Sequence, residues 1–178
     1  MKAKKFLFKA PNVESGEEAE SILQDFKKGR KIGSGAFGSV YEVTHLKTGK
    51  IFAMKEMSKR FIEEHDMLEN VILEAKVMYS LNHANIVRIV THFEDTRNVY
   101  LILEKVENGS IDDLLKRKKK IDMRTAVEIL YQLVTAIEFL HSMAHPVIHR
   151  DLKPANILLT KNNMVSRSYR LTESFINK

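Results

Sequence analysis

The sequence predicts an α+β fold, with an antiparallel sheet at the start of the chain and helices after it. Three observations carry this. Short runs rich in β-branched and aromatic residues follow one another from Phe26 onward, separated by turn signals and not by helical stretches. Residues 61–81 then carry apolar side chains at helical spacing, and residues 125–141 do so again.

Residues 1–25 are polar, acidic between Glu14 and Glu20 and without a sustained period, so they read as a flexible extension or a short solvated helix. From Phe26 the pattern changes. Gly33-Ser34-Gly35-Ala36-Phe37-Gly38 lies between two strand-like runs, the second being Ser39-Val40-Tyr41-Glu42-Val43-Thr44. Lys47-Thr48-Gly49-Lys50 is a turn, and Ile51-Phe52-Ala53-Met54-Lys55 is another short strand. Hairpins therefore follow one another, and no βαβ unit is expected. The helix over 61–81 sets Met67, Val71, Met78 and Leu81 on one stripe, and Glu74 falls on that same stripe. Asn82-His83-Ala84-Asn85 ends it. Residues 86–93 and 99–103 are expected as strands on either side of a turn over 94–98. Asn108-Gly109-Ser110 precedes a short helix over 111–118. In the helix over 125–141, Ala126, Leu130, Leu133, Ile137 and Leu140 form a stripe that Val127, Ile129, Val134 and Phe139 widen, which predicts a largely buried helix. Pro146 stops further helix, and Val147-Ile148 and Ile157-Leu158-Leu159 are expected as short strands flanking a loop.

Bulk properties narrow the function classes. Hydrophobic residues make up 44% of the 178 residues and charged residues 29%, an ordinary globular mix for one domain. The absence of cysteine excludes a disulfide scaffold and a Cys-based zinc site, and it fits a reducing intracellular compartment, cytoplasmic or nuclear. The first ten residues are basic but lack an apolar core, so no signal peptide is expected. No run approaches the roughly 18 apolar residues of a membrane span. Much of the net charge of +6 sits in Lys116-Arg117-Lys118-Lys119-Lys120, which reads as a solvated helix end. No aromatics interleave with it, so nucleic acid is not an expected partner.

Three constellations carry chemistry. A Gly-x-Gly-x-x-Gly segment serves either a dinucleotide-binding turn that opens a helix or a hairpin flap over phosphates. Here a strand follows Gly38, which favours the flap. Lys55 sits in an otherwise apolar strand, and Glu74 sits on an apolar helical stripe. Two buried charges need partners, so a Lys55–Glu74 ion pair is the natural solution, with two unrelated snorkelling side chains as the alternative. His149-Arg150-Asp151-Leu152-Lys153-Pro154-Ala155-Asn156 presents an aspartate, a lysine and an asparagine on a proline-containing loop. Such a set can orient a hydroxyl, neutralise a phosphoryl group and bind a divalent cation. His141, His145 and His149 are spaced by four, but Pro146 interrupts any shared metal-binding helix face.

The glycine segment through Val40, Ala53-Met54-Lys55, Glu74, and the eight residues from His149 to Asn156 resemble, in order and context, the eukaryotic protein kinase family. Lys55 and Glu74 stand nineteen positions apart, as that family's pair does. Lys153, two residues after Asp151, resembles the serine/threonine type. The resemblance covers residues 26–164 and implies a complete small lobe over 26–103, a hinge over 104–106, and the first part of a helical large lobe over 107–164. It implies ATP and Mg²⁺ as cofactors and a protein serine or threonine hydroxyl as substrate. Lys55 is implied to bind the α- and β-phosphates, held by Glu74; Asp151 to orient the hydroxyl; Lys153 to offset charge on the γ-phosphoryl; and Asn156 to hold one Mg²⁺. Loop residues Gly33, Ser34, Gly35, Ala36, Phe37, Gly38 and Ser39 are implied to cover the phosphates. Val40, Ala53 and Leu158 are implied to enclose the adenine, with Ile32 nearby. Leu103 takes the gatekeeper position, and the main chain of Glu104, Lys105 and Val106 that of the hinge.

The resemblance lapses after Met164. The family continues into Asp-Phe-Gly and the rest of the large lobe, whereas residues 165–175 read Val-Ser-Arg-Ser-Tyr-Arg-Leu-Thr-Glu-Ser-Phe. A truncated kinase domain with weak or absent phosphate transfer is the resulting expectation, and a nucleotide- or partner-binding decoy is the alternative. Val-Ser can be encoded by GTAAGT, a common splice-donor sequence, so residues 165–178 are read as a tail of translated intron.

Overall fold

The computed structural model describes residues 22–35 and 38–160. The expectations for residues 1–21 and for the tail from 165 onward lie outside the described residues, as do Ala36 and Phe37 of the glycine segment. The chain divides into two compact units, one formed by residues up to Ala75 together with Ile89–Lys105, the other by Lys76–Arg88 with residues from Val106 onward.

The first unit is built on an antiparallel sheet of β1 (Phe26–Gly35), β2 (Gly38–His45), β3 (Ile51–Ser58), β4 (Ile89–Glu94) and β5 (Asn98–Glu104), in the spatial order β1-β2-β3-β5-β4. The turn signals at 47–50 and 94–98 produce the expected hairpins. Gly49 takes φ +67° at the first, and at the second the Asp95 side chain accepts the N–H groups of Arg97 and Asn98. Strand alternation sorts the side chains. Val43, Met54, Phe93, Tyr100 and Ile102 form a buried cluster on one face, and Tyr41 and Phe52 pack against it. Ile22, Leu23 and Phe26 join that cluster, and Leu46 N–H bonds Asp25 O at 2.7 Å. The packed region therefore starts before Phe26.

The single helix expected over 61–81 is instead two, α1 (Lys59–Glu64) and α2 (Leu68–Ser80). The cause is a Schellman closure. Asp66 adopts φ +52°, its N–H reaches Glu63 O, and Met67 N–H reaches Ile62 O. Aspartate tolerates this left-handed conformation better than most non-glycine residues. The strand expected from residue 86 starts only at Ile89, because Ile86 N–H is taken by His83 O in a turn.

The second unit contains α3 (Ile111–Lys118) and α4 (Met123–His141). Ser110 and Asp113 form a reciprocal capping box at the start of α3, and Asp122 caps α4 through Thr125 N–H. The basic run closes α3, with Lys116 on Asp112 at 2.7 Å and Lys119 as a left-handed C-cap. Ile111, Leu114, Ile129, Ile157 and Leu159 form the core of this unit. Residues 157–159 run beside 108–111, with Ile111 N–H on Ile157 O and Leu159 N–H on Gly109 O, both 2.8 Å. The strand expected over 157–159 is thereby a bridge between Leu158 and Ser110. Val147-Ile148 forms no strand, since Val147 N–H turns back to Leu140 O.

The expectation of a largely buried α4 holds for one face only. Ile129, Ala136 and Leu140 are buried and Leu133 packs beside them, which is one helical face. Met123, Val127, Leu130, Tyr131 and Val134 occupy the opposite face and are 55–79% exposed. Among the described residues, no helix is long and apolar enough to cross a membrane.

Candidate functional site

In the first unit the glycine segment makes the tip of the β1–β2 hairpin, with Gly33 opposite Val40, Ser34 opposite Ser39 and Gly35 opposite Gly38. A Cβ added at Gly38 would stand 2.0 Å from Glu56 O on β3, so no side chain fits there. The hairpin rests against β3 at that point by direct backbone approach.

Register then lines up the next residues. Val40 stands opposite Lys55, Lys55 opposite Leu101, and Ala53 opposite Leu103. These side chains share the sheet face opposite the Val43–Met54–Phe93 cluster, because strand neighbours alternate. Ala53 is buried, Val40 and Leu103 are half-buried, and Ile32 is exposed. Glu104 stands opposite Phe52 at the end of β5.

Lys55 Nζ donates to Glu74 Oε1 at 2.8 Å. The two side chains keep only 16% and 8% of their exposure. Glu74 sits among the buried α2 residues Val71, Ala75 and Met78, so the carboxylate has given up water and is compensated by the ammonium. Strand and helix deliver the pair that the two misplaced charges in the sequence demanded.

In the second unit the segment from His149 to Asn156 folds on itself. Arg150 takes φ +58°, and Pro154–Asn156 form a single 3-10 turn. Asp151 N–H bonds His149 Nδ1 at 3.2 Å, which leaves the neutral ring's proton on Nε2. The Asp151 carboxylate is held at both oxygens: Oδ1 lies 2.9 Å from Lys153 Nζ, and Oδ2 accepts from Asn156 Nδ2 at 2.9 Å. The same Asn156 amide nitrogen also donates to Asp151 O at 2.8 Å. Asn156 is 2% exposed and His149 3%, while the Asp151 side chain remains 30% exposed. The carboxylate is thus oriented by its neighbours while remaining partly exposed. Val106 and Leu158 are half-buried in this unit.

Among the described residues, no group of three His, Cys, Asp or Glu is placed to hold a metal ion. Asn156 contributes one free amide oxygen, Oδ1, once its nitrogen is committed to Asp151. The sequence signals did not foresee the Lys153–Asp151 contact, because spacing alone does not say which way a lysine folds. No motif marks the part-buried ion pair between Glu42 and Lys105 at 3.6 Å either.

Residues 26–172 match the protein kinase domain family. The match passes Met164, where the motifs lapse, and runs eight residues further. The chain is 36% identical over 143 residues to an Aurora kinase of Candida glabrata, covering 80% of this chain and 39% of that protein. It is 37% identical to an Aurora kinase of Saccharomyces cerevisiae, covering 80% and 38%. It is 34% identical over 164 residues to a 3-phosphoinositide-dependent protein kinase 1 of Arabidopsis thaliana, covering 92% and 32%. Among solved structures, Rad53 1-466 in complex with AMP-PNP superposes with a TM-score of 0.72 at 37% identity, covering 79% of this chain and 36% of that one. The chain thus spans about two fifths or less of the length of these relatives.

Proposed function

Because the chain belongs to the protein kinase domain family, we propose that it binds ATP and serves transfer of the γ-phosphoryl group to a serine or threonine hydroxyl of a protein. The Lys55–Glu74 pair carries the reading. An ammonium held by one buried carboxylate, on the sheet face behind a glycine hairpin, is what an α,β-phosphate contact requires. Backbone N–H groups of the hairpin, Ser34 through Ser39, would cover the phosphates. Val40 and Ala53 offer an apolar face for the base.

Asp151 is the proposed acceptor for the substrate hydroxyl, since its carboxylate is fixed at both oxygens yet reachable. Lys153 places a cation at that carboxylate and is proposed to offset charge on the transferring group. Asn156 Oδ1 is the proposed Mg²⁺ ligand, the other ligands coming from phosphate oxygens and water. Bound Mg²⁺ neutralises charge on the β- and γ-phosphates. An intracellular setting, cytoplasmic or nuclear, goes with this co-substrate and with a chain lacking cysteine.

One observation favours a second reading, in which nucleotide binds without transfer. Residues 165–175 hold no Asp-Phe-Gly, the segment whose aspartate supplies a Mg²⁺ ligand in this family. Loss of that ligand costs on the order of 10³-fold or more in rate.

The deciding experiment is titration of the chain with AMP-PNP and Mg²⁺, alongside transfer of labelled phosphate from ATP to a mixed serine/threonine substrate such as casein. Binding that K55M weakens about tenfold or more, with transfer that D151N abolishes, supports the kinase reading. Binding without transfer supports the second. A chain that binds no AMP-PNP overturns both.

A further inference from the structure

Three charged side chains meet at the end of the sheet face that carries Val40, Ala53 and Lys55. Glu42 on β2 stands directly opposite Ala53 on β3. Its Oε2 lies 3.6 Å from Lys105 Nζ and 3.8 Å from a guanidinium nitrogen of Arg30 on β1. Lys105 immediately follows β5, whose last residues Leu103 and Glu104 stand opposite Ala53 and Phe52. The Glu42–Lys105 pair therefore reaches across β3, tying the strand that leaves the glycine hairpin to the chain that leaves β5.

Burial separates the three charges. The Lys105 side chain keeps 15% of its exposure and Glu42 28%, against 76% for Arg30. Arg30 is a solvated and screened third member. Lys105 and Glu42 are partly desolvated, so their mutual attraction is screened less than that of Arg30.

We propose that the Lys105–Glu42 pair is a positioning device for the nucleotide base: it fixes the main chain of Glu104 and Lys105 relative to Val40 and Ala53. This rests on the nucleotide-binding reading above. A base read by main-chain N–H and C=O groups needs donors and acceptors held to a few tenths of an ångström, because hydrogen bonds weaken steeply with misalignment. The phosphate contacts have separate supports in the glycine hairpin and the Lys55–Glu74 pair. Loss of the Lys105–Glu42 pair thus acts on the base-dependent part of affinity.

The test is calorimetric titration of the full chain with adenosine and with AMP-PNP, for wild type, K105M, K105R, E42Q and the exchanged pair E42K/K105E, with each variant's melting temperature recorded. K105M and E42Q are expected to weaken both ligands by one common factor of about 2 to 5. K105R stays near wild type, and the exchanged pair recovers most of the loss. A lowered melting temperature with unchanged adenosine affinity overturns the proposal, because the pair is then only structural. So does a loss confined to AMP-PNP, or an exchanged pair no better than the single variants. Wild type that binds neither ligand brings down the nucleotide reading and this inference together; wild type that binds, with variants that match it, brings down this inference alone.

Discussion

Lys55 Nζ and Glu74 Oε1 lie 2.8 Å apart, joining β3 to α2 with both side chains largely withdrawn from water. Removing one charge strands the other. Glu74→Gln is expected to lower unfolding free energy by about 3 kcal/mol, at the lower end for broken buried pairs because Lys55 keeps a path to solvent. Urea denaturation of the variant against wild type measures it. A change under about 1 kcal/mol would show the pair to be dispensable for folding.

Gly38 is constrained by close backbone approach. Its missing Cβ would sit 2.0 Å from Glu56 O, whereas at Gly49 nothing lies within 4 Å and only φ +67° is at issue. Gly38→Ala should therefore cost about 2 to 3 kcal/mol through displacement of β2 from β3. Gly49→Ala should cost about 1 kcal/mol from the left-handed strain alone. Amide hydrogen exchange distinguishes the two: Gly38→Ala accelerates exchange along the β2–β3 ladder, and Gly49→Ala leaves it nearly unchanged.

Tyr100 gives the small sheet an alkaline limit. Burial pushes its phenol up to about 12; an Asn98 N–H bond opposes this, and hydrogen bonding to Asp95 at 2.8 Å adds to it. The unfolded phenol loses its proton near 10. Between about pH 10 and 12 the unfolded state sheds a proton that the folded state retains, so stability falls across that window. Asp95 responds at the other end. Burial pushes its carboxyl up, but the N–H groups of Arg97 and Asn98 and the Tyr100 hydroxyl outweigh this and hold it low. Its contribution is present above the usual aspartate value and fades as pH falls through the lowered one. Melting curves of wild type and Tyr100→Phe should diverge below pH 10 and converge as pH rises towards 12; curves that stay parallel would contradict the assignment.

The exposed apolar face of α4 has a solution signature. Met123, Val127, Leu130, Tyr131 and Val134 form one stripe turned away from the Ile129–Ala136–Leu140 face. Contiguous exposed apolar surface promotes association. Leu130→Lys with Val134→Lys should lower the light-scattering mass at high protein concentration and reduce binding of a hydrophobic dye, with secondary structure retained. An unchanged scattering profile would mean that the stripe attracts nothing.

The legible parts of the molecule were those where a residue type conflicted with its surroundings. Lys55 in an apolar strand and Glu74 on an apolar stripe announced each other because burial of charge has few solutions. The hairpins were legible from glycine, asparagine and aspartate at turns. The break at Asp66 was not, since a left-handed closure usually shows as glycine and an aspartate gives no such sign. Nor was the one-sided burial of α4, because a broad apolar stripe marks a helix as able to be covered without saying which half is. The strand expected at Val147-Ile148 failed for a related reason: β-branched residues fit buried extended chain whether or not a partner strand lies beside it. The Glu42–Lys105 pair was illegible altogether, as no period links a charge on a half-exposed strand with one just beyond the end of β5.

Asn156 has an entropic consequence. By donating to both the main-chain oxygen and the carboxylate of Asp151, it closes a six-residue segment into a ring. The orientational freedom of that carboxylate is surrendered when the chain folds, not when a partner arrives. Any group presented to Asp151 meets an acceptor whose direction is already set, so the ordering cost of the encounter falls on the incoming molecule alone.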